Sequence, residues 1–253
     1  MARRTLITLL ALKALALTLA WFGHWAAAAV VFFGPDLWIL YNLLVPSAQG
    51  LCRNFTRFET DRSEIWLTID DGPDPDDTPR ILELLDRHQA RATFFLIGRR
   101  AQRHPALVTE IVRRGHEVGH HTHTHPAGSF WCASPARLGR ELDEATQVLT
   151  PLGPPLRWFR PPVGIKHFLL PHALAVRGLQ CVTWTIRSGD CLSRSPETVQ
   201  ANVIRQLHPG AILLMHEGPS VPDPLRLTAL TLVLEALTAR NFRCVIPAAA
   251  QLR

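Results

Sequence analysis

The 253-residue chain carries a formal charge of +6, with 47% hydrophobic and 19% charged residues. That balance excludes a disordered or low-complexity chain, because it supplies enough apolar material for a core. The positive charge is almost wholly arginine, scattered among acids with no basic run and no nucleic-acid motif, so no nucleic-acid partner is expected. Cys52, Cys132, Cys181, Cys191 and Cys244 form no CxxC pair, and their odd number argues against a complete disulfide framework.

In chain order, the first element is an apolar run over residues 5–22, preceded by Arg3-Arg4 and broken only by Lys13. Gly23-His24 interrupts it, and a second run continues from Trp25 past Gly34-Pro35-Asp36 to Val45. About 20 residues at about 1.5 Å each cross a bilayer, so residues 1–46 read as a hydrophobic membrane-anchor segment in contact with lipid. A single anchor, a two-helix hairpin and a signal peptide cut between Ala26 and Ala29 all fit. Arg3 and Arg4 favour a cytoplasmic N-terminus. A single anchor then sends the domain outward, whereas a hairpin returns Arg53, Arg57, Arg62 and the domain to the cytoplasm. Asp36 and the Gly-Pro pair weaken the second span. Residues 47–63 read as a connector and 64–250 as the folded domain.

From Glu64 onward, strand-like and helix-like runs alternate. Strands are predicted over 65–69, 92–96, 117–120, 157–159, 181–186, 211–215 and 243–246. Asp77-Thr78-Pro79, Ser134-Pro135 and Ser195-Pro196 each place a capping residue before a proline suited to a first helical turn, and Gly178 and Gly210 mark helix-ending turns. This alternation predicts an α/β domain with a mainly parallel sheet, for which a barrel is the closed form.

Ionisable clusters fall just beyond five of these strands: Asp70-Asp71, His121 with His125, Arg160, Asp190 and His216. In a β/α barrel those strand ends share one face, where active sites are built. Taken singly each cluster has a bland reading, as a turn, a stiff loop or a core histidine. Taken together, one carboxylate and two imidazoles suit a catalytic zinc with an open position, a second carboxylate suits a general base, and a distant histidine suits a general acid.

Four segments then carry a resemblance. Thr68-Ile69-Asp70-Asp71-Gly72 resembles the TFDDG motif of polysaccharide deacetylases, carbohydrate esterase family 4, the NodB-homology domain. Gly115-His116-Glu117-Val118-Gly119 with His121-Thr122-His123-Thr124-His125-Pro126 is similar to its GHE and HTxSHP segments. Arg160-Pro161-Pro162-Val163-Gly164 is similar to its RxPxG motif, and Leu214-Met215-His216 to its LxH motif. The resemblance implies a distorted, incomplete (β/α) barrel behind the N-terminal hydrophobic helical segment. It implies zinc, or another divalent transition metal, on Asp71, His121 and His125. Asp70 would be the base, oriented by Arg160, and His216 the acid. Leu214 would receive the acyl methyl, Pro162, Val163 and Trp184 would contact substrate, and the backbone N–H near Val163 would hold the oxyanion.

One motif departs from the family. Where WxxDxxDW is common, this chain reads Trp184-Thr185-Ile186-Arg187-Ser188-Gly189-Asp190-Cys191, so Arg187 replaces the aspartate that orients the catalytic histidine. Asp190 is then expected to take over that orientation, and an inward Arg187 to lower the pKa of His216. The resulting expectation is a metal-dependent hydrolase that removes an N-acetyl or other N-acyl group from an amino-sugar polysaccharide or glycoconjugate, at a bacterial inner membrane. Two alternatives accompany it: a deformylase or deacylase of a lipid-linked amino sugar, and a non-catalytic carbohydrate-binding membrane protein of the same fold.

Overall fold

The computed structural model describes residues 2–253, with side chains from residue 7 onward. Nine strands are described: β1 (Asn54–Phe55), β2 (Glu64–Asp70), β3 (Ala92–Leu96), β4 (Glu117–His120), β5 (Trp158–Phe159), β6 (Gln180–Val182), β7 (Ile186–Arg187), β8 (Ile212–His216) and β9 (Arg243–Cys244). Their order is β1-β6-β5-β4-β3-β2-β8-β7, with β9 pairing the start of β2, and every pairing is parallel. This is a parallel half-barrel wrapped by helices. The helices are α1 (Ala2–Trp21), α2 (Trp25–Leu44), α3 (Asp77–Arg87), α4 (Gly98–Arg103), α5 (Pro105–Arg113), α6 (Pro135–Leu149), α7 (Leu170–Ala175), α8 (Pro196–Gln206) and α9 (Arg226–Ala239).

Strand alternation explains what faces the site. Side chains two apart share a face of a strand. On β2, Ile65, Leu67 and Ile69 join the apolar layer shared with helices such as α3 and α9. The other parity puts Trp66 into the interior cluster with Phe95, Trp158 and Ile212, and carries Thr68 and Asp70 along the same face. On β8, Leu213 and Met215 face the helices, which leaves Ile212, Leu214 and His216 facing inward. The period of two therefore delivers Asp70, Leu214 and His216 to one surface.

The expected strand over 181–186 is two strands, a correction with a geometric cause. β6 pairs β5 and β1, whereas β7 pairs β8 at the other end of the sheet order. Thr183-Trp184-Thr185 carries the chain across: Thr183 N–H donates to Phe55 O at 2.8 Å and Thr185 N–H to Ile212 O at 3.0 Å. The barrel is thus joined by a kinked chain segment and not by a continuous ladder. An apolar run reveals strand propensity but not which neighbours it pairs with.

The helix starts also divide. Ser134 Oγ accepts from Arg137 N–H and Ser195 Oγ from Thr198 N–H, each ahead of a proline in the first turn. The Asp77 carboxylate does not cap α3; it accepts from Gly218 N–H at 2.9 Å, tying α3 to the loop after β8.

Residues 47–63 are built into the domain. β1 extends the sheet beside β6, Phe58 is buried in the interior cluster, and Phe58 N–H donates to Gly210 O at 2.8 Å. Gly210 has φ +78°, and a Cβ there would lie 2.1 Å from Phe58 O, so the two backbones meet only because this position is glycine.

α1 and α2 pack against each other, joined by Gly23-His24, and α2 runs unbroken through Gly34-Pro35. α2 is long and apolar enough to cross a membrane. The two charges that interrupt the runs answer each other: Lys13 Nζ pairs with the Asp36 carboxylate and donates to Phe32 O. Trp21, Phe22, Trp25, Leu37, Trp38 and Tyr41 are exposed on these helices.

Phe58→Ala is expected to destabilise the domain by about 3–5 kcal/mol, the cost of a buried phenylalanine truncation. Starting the chain at residue 64 should lower Tm relative to a start at residue 47. Thermal denaturation of the two truncated chains checks this, and equal Tm values would show that β1 and Phe58 are dispensable.

Candidate active site

The site forms where β2, β4, β5, β7 and β8 end. Asp70 ends β2 and Asp71 follows it with a left-handed backbone, at φ +74°. His121 leaves β4, and Thr122 and His125 also adopt left-handed backbone, at φ +64° and +55°. Such conformations are sparsely populated by residues other than glycine and cluster at functional sites. They wrap the His121–His125 loop so that both imidazoles reach Asp71: His121 Nε2 lies 3.5 Å and His125 Nε2 3.3 Å from Asp71 Oδ1.

The test of a metal site is that oxygen. Asp71 Oδ1 is buried and has no hydrogen-bond partner among the described residues, although it lies beside two imidazole nitrogens. His121 Nδ1 donates to Arg160 O at 2.8 Å, which leaves the lone pair on Nε2, the nitrogen facing Asp71. Burial pushes the His125 imidazole down to about 4, so it is neutral and able to act as a ligand near neutral pH. Burial alone would raise the Asp71 carboxyl, but the His121 and His125 imidazoles hold it well below the usual range. Asp71, His121 and His125 therefore form a group able to hold a metal ion. Their chemistry, one carboxylate and two imidazoles, suits a divalent transition metal with a position left open.

Arg160 leaves β5 fully buried. Its Nη1 donates to Asp70 Oδ1 at 2.7 Å and to Thr68 Oγ1 at 2.8 Å, its Nη2 to Thr183 O at 2.9 Å and its Nε to Val182 O at 3.2 Å. The guanidinium also lies over the Phe95 ring, 4.2 Å from its centroid. Asp70 is thus held in one orientation beside the metal group, its Oδ2 3.8 Å from His121 Nε2.

Across the cavity stands His216. Its Nδ1 lies 2.8 Å from Asp190 Oδ1, and its backbone N–H donates to Asp190 Oδ2 at 2.7 Å. Burial pushes the imidazole down, but the Asp190 carboxylate outweighs it, with a further contribution from Cys191, and the pKa rises well above the ordinary histidine value. Arg187 lines the cavity with its side chain exposed, and its backbone carbonyl accepts from Asn202 Nδ2 at 2.8 Å. The groups that set the His216 pKa are thus its own burial, Asp190 and Cys191, with the short carboxylate in direct contact.

These groups share a cavity of about 280 Å³ lined by Asp70, Asp71, His121, His125, Val163, Trp184, Arg187, Cys191, Leu192, Leu214, His216 and Ser220. Leu214, Val163 and Trp184 lie on its wall. Pro162 does not: it is buried in the turn that aims Val163, whose φ is +50°.

Several positioning residues were not legible in the sequence. Glu141 on α6 accepts from the backbone N–H of His123 and Thr124 and from the Thr124 hydroxyl, pinning the histidine loop from outside. Ser220 donates to Asp71 Oδ2. Glu217, pushed up to about 8 by burial, accepts from Thr78 Oγ1 and packs under the Asp71-Gly72 turn, where a Cβ on Gly72 would lie 1.7 Å from its Oε1. The acidic residue right after the LxH segment was the one available signal. His120 of the tract plays a structural part: it donates from Nε2 to Leu142 O at 2.9 Å, and burial pushes it down to about 4.

Residues 58–181 match the family model described as polysaccharide deacetylase. The chain is similar to a chitooligosaccharide deacetylase of Sinorhizobium fredii, 33% identical over 202 residues that cover 75% of this chain and 93% of that protein. It is also similar to a peptidoglycan-N-acetylglucosamine deacetylase of Bacillus cereus, 32% identical over 183 residues that cover 72% and 84% of the two chains. Among solved structures, a family 4 carbohydrate esterase pseudoenzyme from Bacillus anthracis matches with a TM-score of 0.66 at 28% identity, covering 75% of this chain and 65% of that one.

The Asp190–His216 contact generates a pH prediction. A histidine that donates a proton works only while protonated, so activity falls as pH rises through its pKa. Asp190→Asn removes the charge that raises that pKa and should move the alkaline limb of kcat/KM to lower pH, while Arg187→Asp should move it little. The pH profiles of both variants on one substrate check this; an alkaline limb unmoved by Asp190→Asn would remove His216 from the proton-donor role.

Proposed function

This chain belongs to the polysaccharide deacetylase family and is a hydrolase of N-acetyl amide bonds, and we propose that it is a zinc-dependent deacetylase of an N-acylated amino sugar. The observation that carries the metal dependence is the buried Asp71 Oδ1, which faces two imidazole nitrogens and has no hydrogen-bond partner among the described residues. When bound by Asp71, His121 and His125, zinc supplies a Lewis acid beside the scissile carbonyl and the attacking water.

The remaining chemistry belongs to the chain's own residues. Asp70, fixed by Arg160, accepts the proton of the attacking water. The Val163 backbone N–H donates to the oxygen that gains charge as water adds to the carbonyl. His216, its Nδ1 on Asp190, presents Nε2–H to the amide nitrogen and protonates it as the C–N bond breaks. Leu214 bounds the space for the acyl methyl, and a short acyl group suits that wall.

Arg187 and Cys191, where the family motif carries Asp and Trp, favour a second reading as a non-catalytic carbohydrate-binding protein. The matched pseudoenzyme gives that reading a precedent on this fold. Against it stand the metal group, the Asp70–Arg160 pair and the Asp190–His216 pair, each in contact geometry.

The hydrophobic helices act as a membrane hairpin in this reading. Lys13 and Asp36 neutralise each other where neither could stay charged alone in lipid. A hairpin keeps the domain on the side of the N-terminus, which Arg3 and Arg4 assign to the cytoplasm. Tags at the two ends of the full chain should therefore be protected, or digested, together when sealed inner-membrane vesicles meet protease. Opposite behaviour of the two tags would reject the hairpin.

Metal and base separate by mutation. Asp71→Asn, His121→Ala or His125→Ala should lower bound metal and activity together, by about 10²-fold or more in activity. Asp70→Asn should keep the metal and lose about 10²–10⁴-fold in kcat. Metal content by atomic absorption, read beside acetate release, decides; an empty site in Asp70→Asn would exchange the roles of the two aspartates.

A further inference from the structure

The exit of α2 is joined directly to the loop that carries active-site residues. Over most of its length α2 stands clear of the domain, with Leu37, Trp38 and Tyr41 exposed, and only Asn42 and Leu43 at its end are buried against it. Those last residues are tied to the loop that carries Arg160 and Val163. Lys166 N–H donates to Leu43 O at 2.9 Å, and the Lys166 ammonium donates to Asn42 O at 3.2 Å and Val45 O at 2.7 Å. A cation on the orphan carbonyls of a helix C-terminus is a favourable seat. A Cβ on Gly164 would lie 2.8 Å from Pro46 Cγ and 2.5 Å from the Trp184 ring, so the loop is pressed against both the helix exit and the cavity wall. Asn54 Nδ2 reinforces the joint, donating to Pro46 O and to Thr183 Oγ1, both at 2.7 Å.

With α2 in the bilayer, as proposed above, no free linker separates its exit from the loop that lines the cavity. Val163, one residue from Gly164, is 52% exposed on the cavity wall, and Leu192, on the same cavity, is 77% exposed. An exposed apolar side chain next to the helix exit, Val163, with a second on the same cavity, Leu192, suits the boundary between head groups and acyl chains.

We propose that the catalytic cavity opens at the bilayer surface and that its substrate is an N-acylated amino sugar carried on a lipid tail. This rests on the hydrolase reading above and names the substrate class of that same site. A site fixed within a few residues of a membrane helix meets lipid-anchored sugars at high effective concentration in the plane of the bilayer. A long free polymer would have to approach through the head-group layer.

The test uses the full chain in lipid nanodiscs that contain a photoreactive phospholipid. Two probes are compared: N-acetylglucosamine joined through phosphate to a polyprenyl tail in the same disc, and a soluble chitooligosaccharide. The expected results are kcat/KM at least about tenfold higher for the lipid-linked sugar, and lipid crosslinks on the peptides bearing Val163 or Leu192. Equal or faster turnover of the soluble oligomer would overturn the substrate class. Crosslinks confined to residues before Val45 would overturn the placement of the cavity at the bilayer. Crosslinks at the cavity mouth with neither sugar hydrolysed would overturn the hydrolase reading and leave that placement standing.

Discussion

The buried guanidinium of Arg160 is the interaction on which the site depends. It collects Asp70 and Thr68 from β2, Val182 from the end of β6 and Thr183 from the segment that crosses the barrel. One side chain thereby ties the central strand to the kinked closure of the sheet and orients Asp70. Breaking a buried ion pair from one side costs about 3–5 kcal/mol, because the surviving charge is left without a partner. The neighbours are shaped to admit it. Phe95 offers its ring face, and Gly119 leaves that ring room, since a Cβ there would lie 2.6 Å from it.

Around this fixed point the metal group is assembled from strained backbone. Asp71, Thr122, His125 and Val163 all have positive φ, and each belongs to a turn that directs a functional atom inward. Strain of this kind persists only when surrounding contacts over-determine it. Those contacts are visible: Glu141 holds the histidine loop by two backbone N–H groups and a hydroxyl, Thr122 Oγ1 accepts from His125 N–H, and Ser220 holds Asp71. The same principle governs the opposite wall, where Asp190 accepts from both the ring and the backbone of His216.

The helices at the N-terminus are continuous with this machinery. The last turn of α2 ends on Lys166, in the loop that begins at Arg160. Lys166 N–H on Leu43 O, and Gly164 close against Pro46, join the end of α2 to the loop that carries Val163.

Much of this was readable in the amino-acid order. Strand–helix alternation indicated a parallel barrel, and the placement of acids and histidines beyond strand ends indicated one catalytic face, because the period of two and the parallel sense of the strands leave few other arrangements. The motif residues Asp70, Asp71, His121, His125, Arg160 and His216 needed only correct parity to meet. Pairings between distant segments were not readable. Residues 181–186 look like one strand, yet sheet closure splits them between two ends of the barrel. Residues 47–63 look like a linker, yet β6 and Gly210 recruit them. The Asp190–His216 contact, by contrast, was expected from the sequence once Arg187 stood in the place of an orienting carboxylate. Glu141 and Lys166 carry no local signal at all. Local order determines which residues are apolar, turned or charged, whereas the partner of a buried charge is chosen by whichever element the fold brings within hydrogen-bond reach.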